Sequence, residues 1–281
     1  MDIILFNPLS RNGRDPRYVE RIKTRLEKEG HDVRVQDLLT IQSVETFIKT
    51  CAPDDRIVIL GGDGTLSRVA DAIHGHAFTQ DILVARAGTG NDFVRSLKTK
   101  ETFVKVNTFL ERLPLMATDG VGRRVINGAG IGLDGFVGHL VNTSTKKKNK
   151  FNYFRHTLEG FVKFRPVKAS VTIDGKSYRV EKAWLVAVMH GAYFGGGMKI
   201  APKASRKEDE IHVIVIKDIP KWLLTFIFPS IYMGRHTIFR RYVDTYVGKH
   251  VTIVTDNPTY AQIDGDTVYP VTTLTADIHE S

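Results

Sequence analysis

The sequence predicts an α/β protein in two parts: an N-terminal doubly wound parallel sheet, then a mostly antiparallel, sandwich-like β half. Three observations carry this. From Asp2 to about residue 97, short apolar runs alternate with helical spacings, the rhythm of parallel strands joined by crossover helices. Three loops rich in Gly, Asn and Thr (Asn7–Arg14, Gly61–Thr65 and Ala87–Asp92) all fall at the carboxyl ends of those strands, the edge at which such sheets bind ligands. After Leu113 strand follows strand, with the tight-turn pair Asp174-Gly175 between two of them.

The elements follow in order. Asp2–Phe6 is the first strand. Asp15 can cap a helix with Pro16 at its first position, and Val19, Ile22 and Leu26 keep helical spacing until Gly30 ends it. Val33 and Val35 alternate with polar residues as a second strand, with Thr40 just beyond it. Ser43 can cap a short helix carrying Val44, Phe47 and Ile48. Arg56–Leu60 is a buried third strand, followed by GGDGT (Gly61–Thr65) and a helix from Leu66 to Ile73, closed by Gly75. Ile82–Ala85 is the fourth strand, with a helix from Phe93 that Asp92 is placed to cap. The second half reads as strands at Arg123–Ile126, Ala169–Ile173, Ser177–Val180, Ala183–Met189, Ile211–Ile216, Val251–Thr255 and Val271–Ala276. Helical insertions fall around Phe151–Phe164 and Trp222–Tyr242. The change of rhythm puts the domains at residues 1–116 and 117–281.

Hydrophobic residues at 42% and charged residues at 25% belong to a soluble globular chain rather than a disordered or membrane-embedded one. Lys+Arg 40 against Asp+Glu 31 leaves +9, which suits an anionic partner: nucleic acid, an acidic membrane surface or nucleotide phosphate. Nucleic acid is disfavoured, because the charge is dispersed and no basic–aromatic module stands out. A single cysteine, Cys51, fits a reducing compartment and a packed thiol. Ile3–Phe6 is too short for a signal peptide. The most apolar window, Trp222–Met233, contains Pro229 and falls short of the ~20 residues that span a bilayer. The expectation is a cytoplasmic protein, peripheral to a membrane.

Glycines directly after a strand let the backbone turn tightly and approach a ligand closely. The helix that follows offers free N–H groups and a positive dipole end, which suits phosphate. Asp63 is the odd member of GGDGT: a carboxylate repels phosphate, so it acts through Mg²⁺ or on a hydroxyl, or else serves as a helix cap.

Four stretches together resemble the diacylglycerol kinase catalytic-domain family, with the bacterial soluble lipid kinases closest in size: GGDGT, GTGNDF (Gly88–Phe93), INGAGIGLDG (Ile126–Gly135) and FGGGMKIAPKA (Phe194–Ala204). The first two are shared with the superfamily of NAD kinases and phosphofructokinases; the second two are more specific to lipid kinases. A weaker fifth is Asp264-Gly265-Asp266, where the family has Asp-Gly-Glu. The resemblance implies a Rossmann-like nucleotide-binding domain and a β-sandwich-like domain with ATP between them. It assigns ATP binding to Asn7, Pro8, Ser10, Thr40, Gly61, Gly62, Asp63, Gly64, Thr65 and Thr89, and the general base to the C-terminal acidic motif.

Phosphoryl transfer to an alcohol is mostly positioning and charge neutralisation, with Mg²⁺ on the phosphates and a carboxylate taking the proton. Asp266 is placed ahead of Asp264 as that base. An Asp for Glu shortens the reach by ~1.5 Å, and a misplacement of ~1 Å can cost ~100-fold in rate. The alternative for Asp264-Gly265 is a plain hairpin turn. At Ser205–Ile211 the family commonly has Asp-Gly, and some members bind a structural Mg²⁺; here Glu208-Asp209 stands instead, so Glu208 is a candidate ligand, against a solvated charged turn. Gly195–Gly197 reads as a close backbone approach, and His190 as a packed histidine.

The run TKKKNK (Thr145–Lys150), followed by Phe151, Phe154, Leu158, Phe161 and Val162 at helical spacing, suits an anionic membrane surface; the alternative is a solvated loop before a core helix. The implied partner is a lipid alcohol in that surface: diacylglycerol, a sphingoid base, a monoacylglycerol or an undecaprenol-like alcohol. A homodimer is also implied. Two rival readings remain, an NAD-kinase-like enzyme with a soluble substrate and a silent nucleotide- or lipid-binding homologue.

Overall fold

Three apolar runs, one alternating strand and their crossover helices build most of the first sheet of the protein, seen here in a computed structural model that describes residues 1–10, 15–86, 91–144 and 150–278. The chain divides into two compact units, Met1–Leu113 and Pro114 onward.

In the first unit, β1 (Asp2–Phe6), α1 (Pro16–Lys28), β2 (Val33–Asp37), α2 (Val44–Thr50), β3 (Arg56–Leu60), α3 (Asp63–Ile73) and β4 (Asp81–Ala85) alternate as expected. They continue into α4 (Asp92–Ser96), β5 (Phe103–Lys105) and α5 (Asn107–Leu110). The strand order is β2-β1-β3-β4-β5; the first four are parallel and β5 is antiparallel to β4. The predicted caps are formed: the Asp15 carboxylate accepts from Arg17 N and the Ser43 hydroxyl from Thr46 N. Two details differ. The helix after GGDGT begins at Asp63 with Gly62 as its N-cap, and α4 is capped by Asn91, whose side chain accepts from Val94 N, rather than by Asp92.

The second unit runs β6 (Leu115–Thr118), β7 (Val121–Arg124), β8 (Gly128–Gly132), α6 (Leu133–Thr143), α7 (Lys150–Lys163), β9 (Val167–Ile173), β10 (Lys176–Met189), β11 (Ile211–Lys217), α8 (Lys221–Ile231), β12 (Val243–Gly248), β13 (His250–Ile263) and β14 (Asp266–Asp277). Its antiparallel sheet has the order β12-β11-β10-β8-β13-β14-β6-β7, with β9 against β10 and β13. Ser177–Val180 and Ala183–Met189 are one strand, β10, interrupted by a register shift rather than a turn. β8 lies inside INGAGIGLDG, where glycine hides the strand pattern. The helical insertion around Trp222–Tyr242 is shorter than its apolar pattern: Pro229 lacks an amide hydrogen to donate and Gly234 turns left-handed, so α8 ends at Ile231.

One apolar core lies within the sheet, around Val171, Val186 and Ile253. A second lies beneath α6, α7 and α8, around Phe161, Trp184 and Phe228. The α7 stripe expected at a membrane therefore faces inward in part: Phe161 is buried with its ring 5.2 Å from that of Phe228. The basic run ahead of α7, residues 145–149, lies outside the described residues.

Candidate active site

In the first unit the loops at the strand ends are tied to one another by polar side chains. Buried Asn7, just beyond β1, donates from Nδ2 to the Thr65 hydroxyl at 3.2 Å. Its Oδ1 accepts from Leu9 N at 2.9 Å, and Ser10 Oγ donates to the Asn7 carbonyl at 2.8 Å. Thr65 packs so closely over Gly61 that a Cβ there would overlap its side chain. No side chain caps α3 at Gly62, and among the described residues a Cβ at Gly62 or Gly64 would meet nothing within 4 Å, which leaves that backbone open to a ligand. A helix start with bare glycine backbone and the positive dipole end fits phosphate.

Asp63 braces this edge. Its carboxylate oxygens accept from Asp92 N and Phe93 N, both at 2.9 Å, so it satisfies the first amides of α4 from the start of α3. Pro8 lies in the turn after β1. Thr40 sits in a single 3₁₀ turn after β2, its hydroxyl donating to the Asp37 carbonyl and accepting from Gln36 Nε2, each at 2.8 Å. Thr89 lies outside the described residues.

In the second unit, Asp264 and Gly265 form the two-residue turn between β13 and β14 with φ of 46° and 91°, as Asp174 and Gly175 do between β9 and β10 with 47° and 81°. These are type I′ turns, and both aspartates do more than turn the chain. The Asp174 carboxylate accepts from Lys249 N and His250 N. The Asp264 carboxylate accepts from Ile126 N (2.8 Å), Asn127 N (2.9 Å) and Gly128 N (3.2 Å), which pins the entry to β8. Asp266 is exposed and pairs with Arg123 at 2.7 Å, while the same guanidinium donates to the Ile263 carbonyl.

The same turn reaches a third carboxylate, which the sequence reading did not single out. Gly265 N donates to Gln262 Oε1 at 2.7 Å, which fixes the amide so that Nε2 donates to Asp134 Oδ2 at 3.2 Å. Asp134 opens α6 and also accepts from Gly135 N at 2.8 Å. Burial pushes its carboxyl up to about 7, against the lowering effect of the Gln262 and Gly135 hydrogen bonds. Glycine at 130 makes the room, because a Cβ there would overlap the carboxylate. Gly132 turns the chain at φ 111° with its α-carbon against the Trp184 carbonyl. The signal in the sequence was one acid set in an otherwise apolar, glycine-rich run, Gly128–Val137.

Asp134 and Thr157 are the polar lining of a narrow apolar cavity walled by Phe161, Trp184, Phe228 and Ile231, with about 40 Å³ of open space. The Trp184 indole donates to the Ile219 carbonyl at 2.9 Å, which anchors one wall.

Glu208 has company that the sequence reading missed: Glu208, Glu210 and His212 present ligand atoms within 4.8 Å of one another. His212 is buried and its Nε2 has no hydrogen-bond partner among the described residues; burial lowers its pKa, opposed by Glu210 and Glu208. Two carboxylates and a neutral imidazole can hold a divalent cation. His190 is the packed histidine expected, pushed down to about 3 by burial and by Arg206 and His212.

Two family models match the chain in succession. Residues 3–121 match the diacylglycerol kinase catalytic domain, and residues 128–278 match the YegS C-terminal NAD kinase beta sandwich-like domain. The chain is 24% identical over 276 residues to "Putative lipid kinase YtlR" of Bacillus subtilis, covering 89% of this chain and 84% of that protein. It is 25% identical over 191 residues to the diacylglycerol kinase of Mycobacterium tuberculosis, covering 65% of this chain and 61% of that one. A solved Bacillus anthracis structure, titled "a putative diacylglycerol kinase", superposes with a TM-score of 0.70 at 19% identity, over 98% of this chain and 93% of the other. That likeness speaks to the fold.

Proposed function

Because the chain belongs to the family that joins a diacylglycerol kinase catalytic domain to a YegS C-terminal NAD kinase beta sandwich-like domain, we propose that it is an ATP-dependent lipid kinase whose second unit takes the alcohol end of its substrate at Asp134. The observation that carries this reading is Asp134, an acid in the lining of an otherwise apolar cavity, tied to Gln262. An apolar space with one convergent acid suits a molecule with a hydroxyl on a hydrocarbon body. The cavity is narrow as it stands, so an acyl chain enters by displacing the side chains of α7 and α8 that wall it.

The chemistry follows from these groups. The backbone of Gly62 to Gly64 and the start of α3 receive the phosphates, while Asn7 and Thr65 hold that edge in shape. Mg²⁺ would supply charge neutralisation on the phosphate oxygens. Asp63, whose carboxylate accepts the amides of Asp92 and Phe93, is read as the acid that acts through Mg²⁺ and its waters. The substrate hydroxyl oxygen bonds to the γ-phosphorus as the bond to the β-phosphate oxygen breaks, ADP leaves, and the hydroxyl proton goes to a carboxylate. A carboxyl raised well above the ordinary carboxylate range is a stronger base than an exposed aspartate, which suits it to take that proton. Gln262, set by the Asp264-Gly265 turn, positions it. The Glu208, Glu210 and His212 group is read as a structural divalent-cation site.

The test is phosphate transfer from labelled ATP to a panel of detergent-dispersed diacylglycerol, monoacylglycerol, sphingoid base and polyprenol, with NAD as the soluble comparison. Transfer to a lipid that falls at least ~100-fold in Asp134→Asn supports the reading. Transfer to NAD alone refutes it. Full activity in Asp134→Asn with loss in Asp264→Ala or Asp266→Ala moves the proton acceptor to the C-terminal turn.

A further inference from the structure

We infer that the outer face of α8, with the segment that follows it, is a docking surface for an anionic lipid bilayer. α8 is two-sided. Leu224, Phe228 and Ile231 point into the cavity beside Asp134, whereas Trp222 (65% exposed) and Phe226 (76%) project outward one turn apart, with ring centroids 6.5 Å from each other. Met233 and Ile238, in the segment that follows the helix, are also exposed. Val162 at the end of α7 is exposed too, and the Lys221 ammonium, next to Trp222 in the chain, donates to the Val162 carbonyl. Isolated exposed apolar residues need no explanation, but this many large ones along one short helix and its exit mark an interaction surface.

Charge selects the occupant. From Ile219 to Tyr242 there is no Asp or Glu, while Lys221, Arg235, Arg240 and Arg241 are all exposed. A protein partner would have to supply both an apolar groove and a ring of carboxylates. An anionic bilayer supplies both at once, since aromatic side chains settle at the headgroup boundary and cations rest on the phosphates above them. No helix among the described residues is long and apolar enough to cross a membrane, so the surface rests on the bilayer rather than traversing it. The helix that would touch lipid on one side walls the cavity on the other.

The experiment reads binding apart from turnover, so its failure leaves the kinase reading standing. The chain has two tryptophans, of which Trp184 is buried and Trp222 exposed. Full-length protein is titrated with vesicles of neutral phosphatidylcholine, with and without about one third anionic phosphatidylglycerol. Trp222 emission should shift to the blue and be quenched by brominated acyl chains on the anionic vesicles, with quenching abolished in Trp222→Phe. In co-sedimentation, Trp222→Ser with Phe226→Ser should weaken vesicle binding at least about tenfold, and Arg240→Gln with Arg241→Gln about tenfold on anionic vesicles. Thermal melts of these surface variants should match the parent. No blue shift on either vesicle, or equal binding to neutral and anionic ones, overturns the proposal. So does a lipid-free blue shift that grows with protein concentration alongside dimer formation, which would give the face to a second copy of the chain.

Discussion

Replacing Asp134 by Asn should change how stability depends on pH, by an amount the structure sets. The carboxyl is held at about 7 against an ordinary value of 3.8. At ~1.4 kcal/mol for each pH unit between them, the ionised form costs the folded state about 4 kcal/mol relative to the protonated form. The sign follows from a raised acid: the contribution of protonated Asp134 is fully present below about pH 3.8, falls as pH rises, and is gone above about pH 7. Asparagine cannot ionise, so the stability of Asp134→Asn minus that of the parent should climb by roughly 1.4 kcal/mol per pH unit between those limits and flatten above about pH 8. Every other titrating group cancels in the difference. Urea unfolding of both proteins at half-unit steps from about pH 4.5 to 8.5 measures it. A difference constant within about 0.5 kcal/mol across that range would mean that Asp134 titrates as an ordinary carboxylate, and the reasoning from burial would fail. Gln262→Leu in the parent removes a hydrogen bond that lowers this pKa, so the flattening point should move to higher pH.

The other predictions concern single contacts. Asp264→Ala strips the acceptor from three backbone amides and should destabilise by about 2–4 kcal/mol in chemical denaturation, whereas Asp266→Ala loses only an exposed pair with Arg123 and should cost about 0–1 kcal/mol. Gly61→Ala drives a methyl group into Thr65; it should cost about 1–3 kcal/mol and abolish the rise in melting temperature on adding magnesium and ATP. Zinc should raise the melting temperature of the parent more than magnesium does, because His212 contributes a nitrogen donor, and His212→Ala should remove that preference.

The first unit was largely legible because β1, β3 and β4 are apolar runs, β2 alternates, and its loops carry their glycines, caps and prolines in the order a parallel sheet needs. The second was legible where strands alternate and less so where glycine or proline shapes the backbone. β8 contributes five buried residues, three of them glycine, so nothing in its composition announces a strand. Asp134 was hidden for the same reason: its significance comes from Gln262 and from the walls of a cavity, both distant in sequence. The Asp264-Gly265 turn was visible as a turn, but the three amides it holds belong to Ile126, Asn127 and Gly128, and no local spacing links them. Around α7 and α8 the apolar content was evident while its direction was not, because helical spacing marks a stripe without saying which neighbour covers it.

The dual grip of Asp63 on the amides of Asp92 and Phe93 bears on how mutagenesis of the glycine motif is interpreted. An alanine at this position unfastens one loop from the next as well as deleting a charge, so a dead enzyme would report a collapsed scaffold as readily as lost chemistry. Asparagine retains one acceptor oxygen and is the informative replacement: nucleotide affinity preserved alongside impaired turnover would isolate the electrostatic duty of the side chain from its architectural one.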